Sequence, residues 1–205
     1  MPEMRVWTGT AWASVTDPMQ LRGDGPPNGV VSAPPGTTYV DRLGTIGAWQ
    51  WANTSGTGNT GWVVQYGDTG WRNITPSPLP ATIASGSIYI RRTTEGIYLW
   101  LSEIVWAALT VPTNILDTPI PLAPGWTPLS TARTGHQFGD VDLVSQDVII
   151  PYFPSNNMFL RFFARMTSNG FSTTVPAGGK PRRGVWFCGP ASPSTWPTTW
   201  VGTPA

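Results

Sequence analysis

Proline and glycine interrupt this chain so often that no long helix can form. The 205 residues include 22 prolines and 23 glycines, and no segment keeps a helical hydrophobic period beyond about two turns. Such a composition approaches that of disordered chains, but 40% hydrophobic residues and 12 tryptophans supply ample apolar surface to bury. The sequence therefore predicts an all-β fold with many turns.

Charge is scarce along the whole chain. Charged residues make up 11% of it, against roughly 25% in an ordinary soluble domain. This deficit favours a surface covered by partners, above all by copies of the same chain; the alternative is a surface of uncharged polar residues. The net charge of +1 predicts no nucleic-acid partner and no binding to anionic lipid.

The apolar segments predict neither an export signal nor a membrane span. The first residues include Glu3 and Arg5 and have no apolar core. The apolar run 104–116 is too short to cross a bilayer, and Pro112 interrupts it. We expect a protein that does not insert into membranes.

The N-terminal part, residues 1–22, is predicted to be an attachment segment. Two short strands flank Thr8-Gly9-Thr10 and carry Trp7 and Trp12. A hairpin this small is only marginally stable alone, so we expect it to dock on another protein. Residues 17–36 hold five prolines and four glycines and are predicted to be a linker or an extended passage, not a core element.

Residues 23–75 are predicted to form a β stem. Trp49 and Trp51 lie two residues apart in one strand and are therefore predicted to share a face. Residues 62–66 form the next strand, and 54–61 is the loop between the two strands. Two strands cannot bury so much aromatic surface, whereas three copies wound together could, which predicts a homotrimer. The residues predicted at the interface between copies are Tyr39, Trp49, Trp51, Trp62, Tyr66 and Trp71.

The loop glycines Gly56, Gly58 and Gly61 match G-x-G-x-x-G literally. Dinucleotide binding needs this loop to open a helix, whose N-terminal amides receive the pyrophosphate. A strand follows here instead. The loop is predicted to be a hairpin tip, and no cofactor is expected.

Residues 76–205 are predicted to form a β-sandwich head, of jelly-roll type. Segments 87–93 and 96–102 form a hairpin whose second strand alternates between an aliphatic face and a face bearing Tyr98 and Trp100. Further strands are expected at 103–111, 157–165 and 184–188. Short strands at this spacing are typical of a sandwich.

Residues suited to catalysis are sparse, and no enzyme is predicted. His136 is the only histidine and Cys188 the only cysteine, so neither a disulfide within the chain nor an ordinary zinc site can form. Asp140, Asp142 and Asp147 form one acidic cluster. They could bind Ca²⁺ or act as paired carboxylates, or they could be solvent-facing charges; the sequence leaves this open.

Exposed tryptophans are the remaining candidates for ligand contact. Indole rings stack on sugars, and four tryptophans lie in the Pro/Gly-rich stretches of the head: Trp126, Trp186, Trp196 and Trp200. Most tryptophans of such a chain should lie in a core or between subunits. The sequence does not show which of these four would contact a glycan.

Three groups of segments resemble virion fibre and minor tail proteins of tailed bacteriophages, especially those of actinobacterial hosts. Residues 4–12 are similar to a short N-terminal W-x-G-x-x-W segment, and 35–39, 49–51 and 54–62 resemble a stem motif of trimeric tail fibres. Segments 68–72 and 196–205 are also similar to that group. The resemblance covers roughly 60 residues.

This resemblance implies a homotrimeric fibre with a slender stem and a distal β head, whose N-terminus joins other virion proteins. It brings no catalytic residue. We therefore expect a structural fibre that is assembled in the host cytoplasm, sits on the virion at the tail tip or capsid surface, and recognises host-envelope glycan. A capsid decoration or a baseplate component with a purely structural role is the alternative.

Overall fold

The computed structural model confirms an all-β chain. It describes residues 5–7, 12–14, 20–55, 58–80, 83–107, 109–110, 120–127, 147–152, 159–166, 174–175 and 185–205. The strands in these ranges are β1 (Arg5–Trp7), β2 (Trp12–Ser14), β3 (Leu21–Gly23), β4 (Thr38–Asp41), β5 (Ala48–Asn53), β6 (Trp62–Gly67), β7 (Arg72–Asn73), β8 (Ile83–Arg92), β9 (Ile97–Trp106), β10 (Leu109–Thr110), β11 (Ile120–Pro121), β12 (Asp147–Tyr152), β13 (Phe159–Met166), β14 (Thr174–Val175), β15 (Val185–Gly189) and β16 (Thr203–Pro204). Within these ranges the only helical turns are of the 3₁₀ type, at Thr45–Gly47 and Pro193–Thr195. None of the described helical segments is long and apolar enough to cross a membrane.

The chain divides into two compact units, Met1–Tyr66 and Gly67–Ala205. The boundaries expected from the sequence, after residues 22 and 75, fall elsewhere. Strand β3 pairs in parallel with β4, which joins residues 21–23 to the first unit's sheet. Strand β7 pairs antiparallel with β8, which joins Arg72 and Asn73 to the second unit.

The first unit contains the predicted N-terminal hairpin and a four-stranded sheet. In the hairpin, β1 and β2 are antiparallel, with Trp7 opposite Trp12. The sheet has the order β3-β4-β5-β6, and Tyr39 of β4 lies opposite Trp51 of β5. The expected loop between β5 and β6 is present, closed by a hydrogen bond from the Thr54 N–H to the Gly61 carbonyl at 2.9 Å.

Of the two predictions for 17–36, the residues described there fit an extended passage that is fixed to the first unit, not a free linker. The Asn28 side chain donates to the Trp62 carbonyl at 2.8 Å and accepts from the Trp62 N–H at 3.1 Å. The Trp62 indole donates to the Val31 carbonyl at 2.9 Å. The described Pro-rich segment, residues 20–36, is therefore held in place by hydrogen bonds to a buried tryptophan more than 30 residues away in sequence. We call it the Pro-rich cover.

The second unit is organised around a five-stranded antiparallel sheet, in the order β15-β9-β8-β7-β16. The predicted hairpin at its centre is confirmed as β8 and β9. Its inner face is aliphatic and buried, as the alternation in the sequence predicts. The buried cluster on this face includes Ile88, Ile90, Ile97, Leu99, Leu101, Ile104, Ile120, Leu122, Trp126 and Cys188.

Strand β9 bends where the sequence predicted an uninterrupted buried strand from residue 103. Glu103 has a φ of 52°, and Gly86 on the partner strand has a φ of 115° beside a shift in pairing register. A Cβ on Gly86 would lie 2.5 Å from the Ile104 Cα, so only glycine fits there. Strand β9 ends at Trp106, and β10 covers only Leu109–Thr110.

The remaining predicted strands are present with small shifts. Segment 157–165 corresponds to β13, which pairs with β12 and with β11. Segment 184–188 corresponds to β15, although β16 follows it and pairs with β7. Ile120 of β11 belongs to the same buried cluster as the inner face of the five-stranded sheet.

Cys188 should make the fold sensitive to alkali. Burial raises the pKa of its thiol to about 12, against about 8.5 in an unfolded chain. The folded thiol keeps its proton while the unfolded thiol loses it, so stability falls as pH rises above about 8.5. Between pH 8 and 10 we expect a loss of about 2 kcal/mol in the free energy of unfolding, measured by urea denaturation. Cys188→Ala should lack this component, and an equal loss in both proteins would contradict the assignment.

Candidate functional site: an aromatic face of the head sheet

The outer face of the five-stranded sheet carries a group of aromatic side chains. It lies opposite the aliphatic face, and we call it the outer aromatic face. It consists of Trp71, Tyr89, Tyr98, Trp100 and Phe187 together with the ion pair between Asp68 and Arg91. Residues of four adjacent parts of the sheet therefore contribute to one surface.

The strand register brings these residues together. Tyr89 of β8 and Val185 of β15 both lie directly opposite Trp100 of β9. In the next row, Arg91 and Phe187 both lie opposite Tyr98. Because side chains directly opposite in an antiparallel pair share a face, two rows of side chains run across the strands.

The rings contact one another in two groups. Trp100 stacks on Tyr89, with centroids 4.8 Å apart, and meets Trp71 edge-on at 6.0 Å. Tyr98 and Phe187 form the second group, at 5.2 Å and an angle of 55°. Phe187, on the edge strand β15, is 41% exposed, whereas the other four aromatic side chains are half-buried. Mutual packing holds each ring in place while part of it stays accessible to solvent.

A charged pair lies within this aromatic surface. The Arg91 Nε donates to Asp68 at 2.8 Å, and its Nη2 contacts the other carboxylate oxygen. The guanidinium also lies 5.9 Å from the centre of the Trp71 ring. The hydrogen bond from Arg91 lowers the pKa of Asp68, and the same bond raises the pKa of Arg91, so both stay charged near neutral pH.

A second polar group borders the face at the hairpin tip. The Tyr98 hydroxyl donates to the Glu95 carboxylate at 2.8 Å, and this bond raises the pKa of Tyr98. Glu95 itself is exposed. Rings, hydroxyl, guanidinium and carboxylates thus lie side by side, and the face can stack on apolar groups and form hydrogen bonds at the same time.

The six residues predicted at the stem interface do not form one exposed surface; Tyr39 packs edge-on against Trp62 at 5.9 Å and lies opposite Trp51. Tyr39, Trp51 and Trp62 are buried inside the first unit, so a single chain covers them and the burial argument for a trimer does not apply to them. Trp49 and Tyr66 are 45% and 58% exposed. Trp49 and Trp51 were expected to share one face, but their burial differs strongly. Trp71 lies in the second unit, on the outer aromatic face.

The glycine loop is a hairpin tip in the residues described. Gly58 and Gly61 have φ values of 103° and 83°, and strand β6 follows directly. The Gly58 carbonyl accepts a hydrogen bond from the Ala33 N–H at 3.0 Å, which ties the tip to the Pro-rich cover. Gly56 lies outside the described residues.

Two of the four candidate tryptophans of the head are buried, as the sequence led us to expect for most of them. Trp126 is completely buried, and its indole donates to the Thr199 carbonyl at 3.0 Å. Trp196 is buried against the Arg92 guanidinium, 4.8 Å from its ring centre. Trp200 is 46% exposed under Arg72, and Trp186 lies within strand β15.

The polar residues singled out for chemistry lie mostly outside the described part of the chain. This holds for His136, Asp140 and Asp142, while Asp147 begins strand β12. Across the described ranges, no three histidine, cysteine, aspartate or glutamate residues gather into a group that could hold a metal ion.

No protein-family model, no curated protein and no solved structure matches this chain.

Sequence reasoning identified Tyr98 and Trp100 as sharing a face but did not connect them with Tyr89, Arg91 and Phe187. The signal was present in the hairpin, because a tip at Thr94-Glu95 sets the register between the two strands. The pairing of β15 with β9 spans about 90 residues of sequence, and no local pattern predicts it.

Proposed function

We propose that this protein is a structural fibre of a tailed-phage virion, which assembles as a homotrimer and presents its second unit to host-surface glycan. The observation that carries the proposal is the outer aromatic face, a partly exposed surface of rings and hydrogen-bonding groups on a rigid sheet. The phage-like segments in the N-terminal part supply the virion context. The hairpin of β1 and β2 is the proposed attachment segment.

The proposed head is a β-sandwich of jelly-roll type. Its support is the buried cluster that combines the inner face of the five-stranded sheet with Ile120, Leu122 and Trp126 from a later part of the chain. Ile120 belongs to the three-stranded sheet β11-β13-β12. A second sheet packed over the first is the arrangement that a sandwich requires.

The proposed contacts between copies lie at the exposed aromatic residues of the first unit. Trp49 on β5 and Tyr66 on β6 keep about half of their surface in solvent, and tryptophan and tyrosine are enriched at the buried centre of protein interfaces. In this proposal Trp49 and Tyr66 are buried between copies, in place of all six residues of the predicted interface. The scarcity of charge in the chain agrees with such association.

The mass of the native protein in solution tests this assembly. Light scattering should give three times the chain mass of 22.1 kDa. The double variant Trp49→Ala/Tyr66→Ala should shift this mass toward one chain, because aromatic anchors carry most of the energy of an interface. Arg42→Ala, which removes an exposed side chain of the same unit, should leave the mass unchanged. A monomeric wild-type protein would contradict the trimer.

A purely structural role, as a capsid decoration or a baseplate component, is the second candidate. It is favoured by Val30 and Leu43, which are apolar and largely exposed in the first unit and could contact neighbouring virion proteins. Antibody labelling of virions in electron micrographs distinguishes the two roles. Label at a tail tip with binding to host cells supports the fibre, and label across the capsid without cell binding supports decoration.

A further inference from the structure

We propose that the outer aromatic face is the ligand site of the head, and that its ligand is an uncharged polysaccharide chain lying across the strands. This inference rests on the proposed function and gives it a location and a ligand class. It moves the site from the loop tryptophans to a sheet surface, because Trp126 and Trp196 are buried in the core.

The chemistry of the face fits a sugar better than a second copy of the chain. Sugar rings present C–H groups on their faces and hydroxyls at their edges. Trp100 and Tyr98 can stack on the former, while the ion pair of Asp68 and Arg91 can exchange hydrogen bonds with the latter. The buried centre of a protein–protein interface is enriched in tyrosine, tryptophan and arginine but depleted in aspartate and glutamate, so the carboxylate of Asp68 is what sets this face apart. Here a charged pair lies next to Trp71, within the aromatic group.

The charges on the face favour an uncharged ligand. The positive charge of Arg91 is compensated by Asp68, and Glu95 adds a carboxylate at the border. Arg72 and Arg92 are buried, and their guanidinium groups donate to main-chain carbonyls. Among the residues that the structure describes on this face, no cation is left to pair with a phosphate or carboxylate of an anionic glycan.

The dimensions of the face favour an extended chain over a single sugar. The two rows cross from β15 through β9 and β8 to the start of β7, which spans about 14 Å at the usual strand spacing. The two ring groups, around Trp100 and around Tyr98 with Phe187, lie in adjacent rows. An open sheet surface contacts one side of a polymer, and several stacking positions together provide an affinity that one position does not.

Affinity electrophoresis through gels containing single polysaccharides tests the site on the full chain. The probes are three uncharged polymers, namely dextran, arabinogalactan and galactomannan, and two anionic ones, hyaluronan and poly(glycerol phosphate). We expect at least one uncharged polymer to retard the protein, and neither anionic polymer to do so. Trp100→Ala and Phe187→Ala should each weaken the retardation at least tenfold. Trp200→Ala, which removes a similarly exposed ring elsewhere in the unit, should not.

Two checks make the result decisive. Circular dichroism and thermal melting show that each variant is folded, and Phe187→Ala, at an exposed edge position, serves if Trp100→Ala does not fold. The proposal is overturned if no uncharged polymer binds, if only the anionic polymers bind, or if the folded face variants bind like wild type. It is also overturned if the face variants change the oligomeric mass, since the face would then be an interface between copies.

The outcomes also separate this site from the proposed fibre. A trimer that binds none of the uncharged polymers leaves the fibre intact and removes the site. A monomer whose binding depends on Trp100 keeps the site and removes the trimeric fibre.

Discussion

Replacement of Trp126 by alanine is expected to destabilise the second unit by about 3–5 kcal/mol, a large part of the total stability of a domain. Trp126 is completely buried within the main cluster of this unit. Its removal leaves a large cavity and also takes the hydrogen-bond donor from the Thr199 carbonyl. Urea denaturation followed by circular dichroism measures the loss.

Trp200→Ala is the matched control for this prediction. Trp200 lies in the C-terminal segment next to the residue that Trp126 binds, yet it is about half exposed. Its ring contacts the Arg72 guanidinium at 4.6 Å, which is worth about 1 kcal/mol. A stability change at Trp126 no larger than that at Trp200 would show that Trp126 is not part of the core.

Arg92→Ala is expected to cost about 3 kcal/mol or more. Arg92 is fully buried, and its guanidinium donates to the Ser192 carbonyl at 2.9 Å and to the Thr93 carbonyl. It also stacks on Trp196, and no carboxylate pairs with it within the described residues. Burial lowers the pKa of Arg92 to about 10, so the group remains charged at neutral pH. Its loss removes both hydrogen bonds and the guanidinium that packs on the Trp196 ring from a fully buried position.

Comparison of Arg92→Ala with Arg92→Lys shows how much of the lost stability depends on the planar guanidinium group. Lysine keeps the charge but cannot stack as a plane or reach two carbonyls with a fork of donors, so we expect most of the loss to remain. Arg22→Ala, at an exposed position of the first unit, should change the free energy of unfolding by less than about 0.5 kcal/mol. A loss below about 1 kcal/mol in Arg92→Ala would contradict the role of Arg92 as an anchor of the C-terminal segment.

Local patterns predicted the strands well. The two-residue alternation of Ile97, Leu99 and Leu101 against Tyr98 and Trp100 identified both the strand and its two faces, because each strand residue points to the side opposite its neighbour. The hairpin tip and the absence of long helical periods were also recognisable from short stretches of the sequence. All-β character follows from such features.

The Pro-rich segment and Trp196 could not be placed from the sequence for the same reason: the burial of each depends on partners far away in sequence. The Pro-rich segment looks like a linker until the hydrogen bonds of Asn28 to Trp62 are considered. Trp196 lies in a stretch of prolines and looks exposed until Arg92 is placed beneath it. Proline and glycine show that a segment is irregular, but irregular segments can still pack closely when their polar groups find partners.

The prediction of a trimeric stem was based on the number of aromatic residues, and that number does not show where their surface is buried. The amount of aromatic surface was read correctly as too large for a two-stranded hairpin. The chain adds β3, β4 and the cover that includes Val31, and together they bury Tyr39, Trp51 and Trp62. Of the six residues predicted at the interface between copies, the exposed pair Trp49 and Tyr66 still supports such contacts.

By itself, the sequence determined that this chain is all-β, where several of its described strands lie, and which residues of the central hairpin share a face. Those properties depend on backbone sterics and on periodicity over a few residues. Only the tertiary structure decided which tryptophans are core, where one unit ends, and that β15 extends the aromatic rows of β8 and β9 into one surface. These depend on strand pairing and burial between distant segments, whose free energy comes from contacts that no local pattern encodes.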